Sequence, residues 1–252
     1  MSPDKEKVRE SVRERYSRRV ASSGCCSDGS ACCSTSSSCC STSCDCTPAR
    51  EDGLVGPALG CGSPLDMVRL TDGMDVLDIG SGAGREALEA ARRVGPSGTV
   101  FGLDMNDDML RLARENKRRT GVTNVFFLRG VMEEVPLPAE SVDLVISNCV
   151  INLSSDKDRA VSEIFRVLKG GGRLGVSDTV VDGRVTEAAR ENMDLWCSCV
   201  SGSMEPDEYA ERLRRAGLVD VSVQVKSWYG EVDELGKGVR LGSAFISATK
   251  PA

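Results

Sequence analysis

The chain predicts an α/β fold: a mostly parallel sheet with helices on both faces and a small antiparallel extension near the C-terminus. Three observations predict it. Apolar runs at 76–79, 99–103, 124–128, 142–147 and 173–177 alternate with helical patterns at 85–94, 107–119 and 156–168, the spacing of βαβ units. The first run stops at a turn with glycine at 80, 82 and 84, and a helix-forming stretch begins directly after it. Beyond residue 180 the alternation gives way to helical patterns at 186–198 and 206–216 and then to runs Val219–Ser227 and Leu241–Thr249. The last two read as antiparallel additions to the sheet.

Before that core the chain divides by composition. Residues 1–20 form one unit, because Val8, Val12, Tyr16 and Val20 recur at four-residue spacing and predict an amphipathic helix over 4–20 that acts as a lid or packing helix. Residues 21–47 form a second unit, rich in Ser, Thr, Gly and Cys and unable to make a core. Eight cysteines fall there, and the doublets Cys25-Cys26, Cys32-Cys33 and Cys39-Cys40 repeat every seven residues. Ser, Thr, Gly and Asp between them are poor helix formers, which argues against a coiled coil. Two readings stay open: a flexible tail able to gather a soft ion, or a low-complexity expansion with no specific job. The α/β domain is expected over 48–180. A substrate-binding and sheet-completing region is expected over 181–252.

Composition narrows the chemistry. A chain of 252 residues, 40% hydrophobic, is long enough to bury a core. No apolar run reaches transmembrane length and the charged start Asp4 to Glu10 lacks the apolar region of a signal peptide, so a cytoplasmic protein with no membrane partner is expected. The net charge of −6 predicts no nucleic-acid partner. There is no histidine, which removes Ser-His and Cys-His pairs and His-ligated zinc. Twelve cysteines in a cytosolic chain point to soft-ion or redox chemistry rather than a disulfide framework.

The glycine turn opens a ligand pocket at a helix start, where main-chain N–H groups face outward. A dinucleotide fingerprint would need glycine at 85, where Arg85 stands. The pattern Gly80-Ser-Gly-Ala-Gly84 after Asp78 instead resembles motif I of the class I S-adenosylmethionine methyltransferases, which have a Rossmann-like fold. Asp104 ends the second strand about 20 residues past the last glycine, where a carboxylate can grip ribose hydroxyls. Cys61 between Gly60 and Gly62 has little packing of its own and an accessible sulfur.

A narrower resemblance runs from about residue 54 to the C-terminus. Ile146-Ser-Asn-Cys-Val-Ile-Asn-Leu153, Gly60-Cys-Gly-Ser-Pro-Leu65, Gly102-Leu-Asp-Met105, Gly171-Gly-Arg-Leu-Gly-Val-Ser-Asp178 and Cys199-Val-Ser-Gly202 are similar to segments of the arsenite methyltransferases. Two positions depart from that pattern: Arg85-Glu86 stands where the family more often has an aromatic and an acid, and Leu59 where some members have Tyr. The resemblance implies S-adenosylmethionine as cofactor, held by Asp78, Gly80, Ser81, Gly82, Gly84, Asp104, Met105, Val131, Met132, Glu133 and Asn148. Met105 and Val131 would sandwich adenine, Glu133 would accept its amino group, and Asp78 would orient the glycine turn. Arsenic(III) would be held by Cys61, Cys149 and Cys199, with one tail cysteine completing the set. Cys197 is expected to point away from Cys199, two residues off on a helix. The partners implied are arsenite or its glutathione conjugate and a thiol reductant, glutathione or thioredoxin-like. Two other readings differ in class: a methyltransferase acting on another small nucleophile, and a non-catalytic metalloid-sequestering protein.

Overall fold

The structure is a computed structural model and describes residues 5–22, 54–57 and 60–252. The cysteine doublets and Leu59 lie outside the described residues. After helix α1 (Lys5–Ser22), the core runs β1 (Asp75–Ile79), α2 (Arg85–Arg93), β2 (Thr99–Asp104), α3 (Asp107–Thr120), β3 (Val125–Arg129), β4 (Val142–Asn148), α4 (Lys157–Val167) and β5 (Leu168–Asp182). Helices α5 (Glu187–Glu191), α6 (Met193–Trp196) and α7 (Pro206–Arg215) precede β6 (Val219–Glu231) and β7 (Arg240–Thr249). The seven strands order as β3-β2-β1-β4-β5-β7-β6. β1 to β5 pair in parallel, and β7 inserts antiparallel between β5 and β6.

Strand β1 explains why its sequence is a continuous apolar run rather than an alternation. Val76 packs with Ala87, Leu88 and Val100 on one face of the sheet, and Leu77 and Ile79 pack with Val145, Ile164 and Leu174 on the other. Both faces are covered, so both sets of side chains must be apolar. Strand order reverses at β1, with β2 on one side and β4 on the other, and a doubly wound sheet leaves its ligand crevice at that point. Helix α3 starts there because Asn106 caps it, accepting hydrogen bonds from the amides of Asp108 and Met109.

Three elements differ from expectation. The helix predicted over 186–198 is two short helices, because Asn192 turns its side chain back to accept from the amides of Asp194 and Leu195 and starts a new helix there. Cys197 and Cys199 therefore follow the helix end instead of sharing a helix. β5 runs 15 residues instead of the five expected, since β7 pairs with it from Arg173 to Asp182. β6 likewise extends to Glu231 by pairing with β7 through three register shifts.

Helix α1 buries Val8, Val12 and Val20. Val8 and Val12 meet Leu153, Trp196, Cys197 and Cys199, whereas Val20 meets Ala83, Met109 and Leu112. Polar contacts pin it at both ends of that span. Arg15 donates to Asp194 and Ser198, and Asn106 donates to the carbonyl of Arg13. Lys5 reaches Asp156 at 2.6 Å.

Candidate active site

The loops after β1, β2, β3 and β4 and the inner face of α1 enclose one cavity. Asp78, Gly80, Ser81, Gly82, Asp104, Met105, Val131, Met132, Glu133, Asn148 and Cys149 all line it. Gly84 does not. Its φ is 84°, and a Cβ there would stand 2.6 Å from the Phe127 ring, so this glycine serves the packing of α2 against the sheet. Gly82 differs: at φ 52° a Cβ would meet nothing within 4 Å, and its amide donates to Asp104 Oδ2 at 2.8 Å.

Asp104 is held by backbone. Its Oδ1 accepts from the amide of Asn106 at 2.8 Å, which ties the carboxylate to both the glycine turn and the start of α3. Burial nevertheless pushes its carboxyl up, against the pull of those amides. Asp78 is pushed up further, first by burial and then by the carboxylates of Glu86 and Asp104. Its Oδ2 is buried and accepts no hydrogen bond among the described residues. Three neighbouring carboxyl groups with an unused acceptor suit a ligand that brings positive charge and hydroxyl donors. S-adenosylmethionine, with an ammonium, a sulfonium and two ribose hydroxyls, fits that donor set.

Other side chains in the cavity are already engaged. Glu133 accepts from Ser154 Oγ and forms an ion pair with Arg9 of α1 at 3.3 Å. Asn148 accepts from the amide of Cys61 at 3.2 Å and donates to the Gly62 carbonyl at 2.6 Å and to Glu86 at 2.9 Å. Asn148 is thus the clamp that seats the Gly60–Gly62 loop on the end of β4.

That clamp explains the cysteines. Cys61 and Cys149 lie 6.2 Å apart at Cα and are joined in a disulfide. Among the described residues this is a single bridge, not a framework. Cys199 donates its thiol to the Cys149 carbonyl at 2.8 Å. One bridge and one hydrogen bond therefore connect Cys61, Cys149 and Cys199, although 138 positions separate the first from the last, and of the three only Cys149 lines the cavity. Cys149 and Cys199 both have left-handed backbone, with φ of 56° and 59°. Burial raises the Cys199 thiol. Cys197 is also buried and its thiol also raised, and like Cys61 and Cys199 it does not line the cavity.

Several lining residues carry no signal in the sequence. Arg9, Arg13 and Tyr16 reach the cavity only because α1 crosses it, and Ser154 and Ser155 because the chain turns before α4. Glu86, which also lines the cavity, was not singled out either, although an acid directly after the glycine turn was a signal that could have found it.

A model described as a methyltransferase domain matches residues 70–217. With the sheet order and the cavity at its switch point, that makes the chain a class I, S-adenosylmethionine-dependent methyltransferase. Its relatives narrow the class. A protein named arsenite methyltransferase from Halobacterium salinarum is 36% identical over 99% of this chain and 68% of its own length. One of the same name from Aquipseudomonas alcaligenes is 37% identical over 75% of this chain and 56% of its length. The crystal structure of an arsenic(III) S-adenosylmethionine methyltransferase from Chlamydomonas reinhardtii superposes with a TM-score of 0.68 at 33% identity, covering 77% of this chain and 68% of that one. The chain belongs to the arsenite methyltransferase family. It spans about two thirds of the halobacterial relative and a little over half of the pseudomonad one.

Proposed function

We propose that this chain transfers a methyl group from S-adenosylmethionine to trivalent arsenic held by cysteine thiolates. The observation that carries the reading is that Cys149, which lines the cavity, is bridged to Cys61 and accepts the Cys199 thiol on its carbonyl. When bound, the cofactor supplies a methyl group already activated by its sulfonium. The chain's task is to bind, aim and exclude water. Asp104 holds the ribose and Asp78 and Glu86 face the positive end. Trivalent arsenic attacks through its own lone pair, displaces S-adenosylhomocysteine and needs no general base, which suits a chain with no histidine; the two electrons so spent are returned to arsenic by the thiol reductant. Soft thiolates replace its hydroxyl or glutathione ligands and point that lone pair inward.

A thiol reductant belongs to the scheme. Cys61 and Cys149 are joined, and no group of three His, Cys, Asp or Glu among the described residues is placed to hold a metal ion. Two electrons from glutathione or a thioredoxin-like protein free both sulfurs, and arsenite or its glutathione conjugate then finds three thiols. The biological role that follows is arsenic detoxification in the cytoplasm. No helix among the described residues is long and apolar enough to cross a membrane.

The test is incubation of the reduced protein with arsenite, labelled S-adenosylmethionine and a thiol, followed by speciation of the arsenic. Label in methylated arsenic is the expected result. Cofactor turnover without it would mean another nucleophile, and cofactor binding with neither would leave only sequestration.

A further inference from the structure

Next to Cys199 lies a buried polar network, none of whose residues lines the cavity. The Thr179 hydroxyl on β5 is 2.6 Å from the carbonyl oxygen of Cys199, the Ser203 hydroxyl is 2.7 Å from the same oxygen, and the two hydroxyls are 2.7 Å apart. Asn152, three residues past Cys149, donates Nδ2 to the Thr179 carbonyl at 2.7 Å and to Asp178 Oδ1 at 2.9 Å. Asp178 Oδ1 also accepts from the Thr179 amide at 2.9 Å. Thr179 is 7% exposed, and Asn152, Asp178 and Ser203 are fully buried. Polar side chains at such a site cost free energy unless paired, and here the pairing is directed at one backbone group.

That group is the peptide after a left-handed cysteine. A non-glycine residue at φ 59° is strained and persists only where its surroundings impose it. Two hydroxyls on the Cys199 carbonyl impose it. The same end of β5 serves the other cysteine, since the amide of Cys149, at φ 56°, donates to the Ser177 carbonyl at 2.8 Å. Residues 177–179 of one central strand thus hold both cysteines, and Asn152 ties the loop after Cys149 to the Thr179 that grips Cys199. We infer that Asn152, Thr179 and Ser203 form a positioning network that fixes the spacing and aim of Cys149 and Cys199 for arsenic. The inference rests on the proposed arsenic chemistry and adds to it the residues that preset the two thiolates. Presetting matters because two thiolates held in place bind one arsenic as a single event, at high effective concentration.

Thr179→Val keeps the shape and removes the hydroxyl, and Thr179→Ser keeps the hydroxyl. Arsenite affinity of the reduced protein is read from near-ultraviolet arsenic–thiolate absorbance, with kcat and KM for arsenite and calorimetric cofactor affinity alongside. Thr179→Val is expected to weaken arsenite binding by about tenfold or more and leave cofactor affinity within about twofold, and Thr179→Ser to return within about threefold of wild type. Ser203→Ala should show a smaller loss of the same kind and serves if Thr179→Val does not fold. Arsenite affinity within twofold of wild type in every folded variant overturns the network, as does a Thr179→Ser protein no better than Thr179→Val. Failure of the underlying reading looks different: Cys199→Ser would then bind and methylate arsenite as wild type does.

Discussion

The cofactor half and the cysteine half of this site are built in opposite ways. On the cofactor side, Asp78, Gly80, Gly82 and Asp104 come from two adjacent strands and their turns, and backbone amides hold the key carboxylate. On the cysteine side, three loops far apart in the chain each deliver one sulfur, and side-chain contacts hold two of them: Asn148 on the Cys61 loop, Thr179 and Ser203 on Cys199. A local motif can bind a nucleoside with little help. Cysteines from three distant loops come together only when the whole sheet is assembled, so the two halves should fail separately.

The largest separation is expected from Cys149→Ser and Cys199→Ser. Each should abolish methylation of arsenite and of monomethylarsonous acid, by about 100-fold or more, because two-point holding is the least that can aim the lone pair. Calorimetry should find S-adenosylmethionine affinity nearly unchanged in both. Substantial turnover by either variant would dissolve the division.

Cys61→Ser sharpens it. Arsenite has three exchangeable positions and the monomethyl species two, so a third thiolate serves only the first methyl. About tenfold or greater loss on arsenite is expected, with the monomethyl substrate spared. Rates on both substrates decide this, and equal activity on arsenite would take Cys61 out of the site.

Asp104→Ala tests the other half. Loss of a charge-assisted contact to the ribose costs on the order of 1.5 to 3 kcal/mol, or about tenfold to 100-fold in cofactor affinity. Arsenic–thiolate absorbance should titrate as in wild type. Unchanged calorimetric affinity would show that the ribose lies elsewhere.

The smallest effect is a pH slope. Burial raises the Asp178 carboxyl from 3.8 to about 7, so the folded state holds a proton that the unfolded chain releases. Stability from this source is full below about pH 4 and is lost as pH rises through about 7. Lys157, lowered by burial to about 8, does not change charge at lower pH. The melting temperature of wild type should therefore drop between about pH 5.5 and 7.5 by a few degrees more than that of Asp178→Asn. Parallel slopes would mean that Asp178 titrates normally.

Much of this was legible without coordinates because it is local. The β1 run, the glycine turn and Asp104 follow one another within 29 positions, and hydrogen bonds across that short span make the cofactor side. The alternation of strand and helix determined a parallel sheet, and a parallel sheet places its strand ends, and so Cys149, at the ligand crevice. Absence of histidine also determined what chemistry was out of reach.

Tertiary structure decided the rest. The break at Asn192 was hidden because the residues around it favour helix, and only the cap geometry released Cys197 and Cys199 into a turn. The reach of Arg9, Arg13 and Tyr16 into the cavity depends on where α1 docks, which its own periodicity leaves open. The grip of Thr179 and Ser203 on Cys199 joins residues 20 and 4 positions away through a left-handed turn. Periodicity shows which face of an element is apolar, but the meeting of faces and loops is set by how the packed sheet, helices and chain ends fill space together.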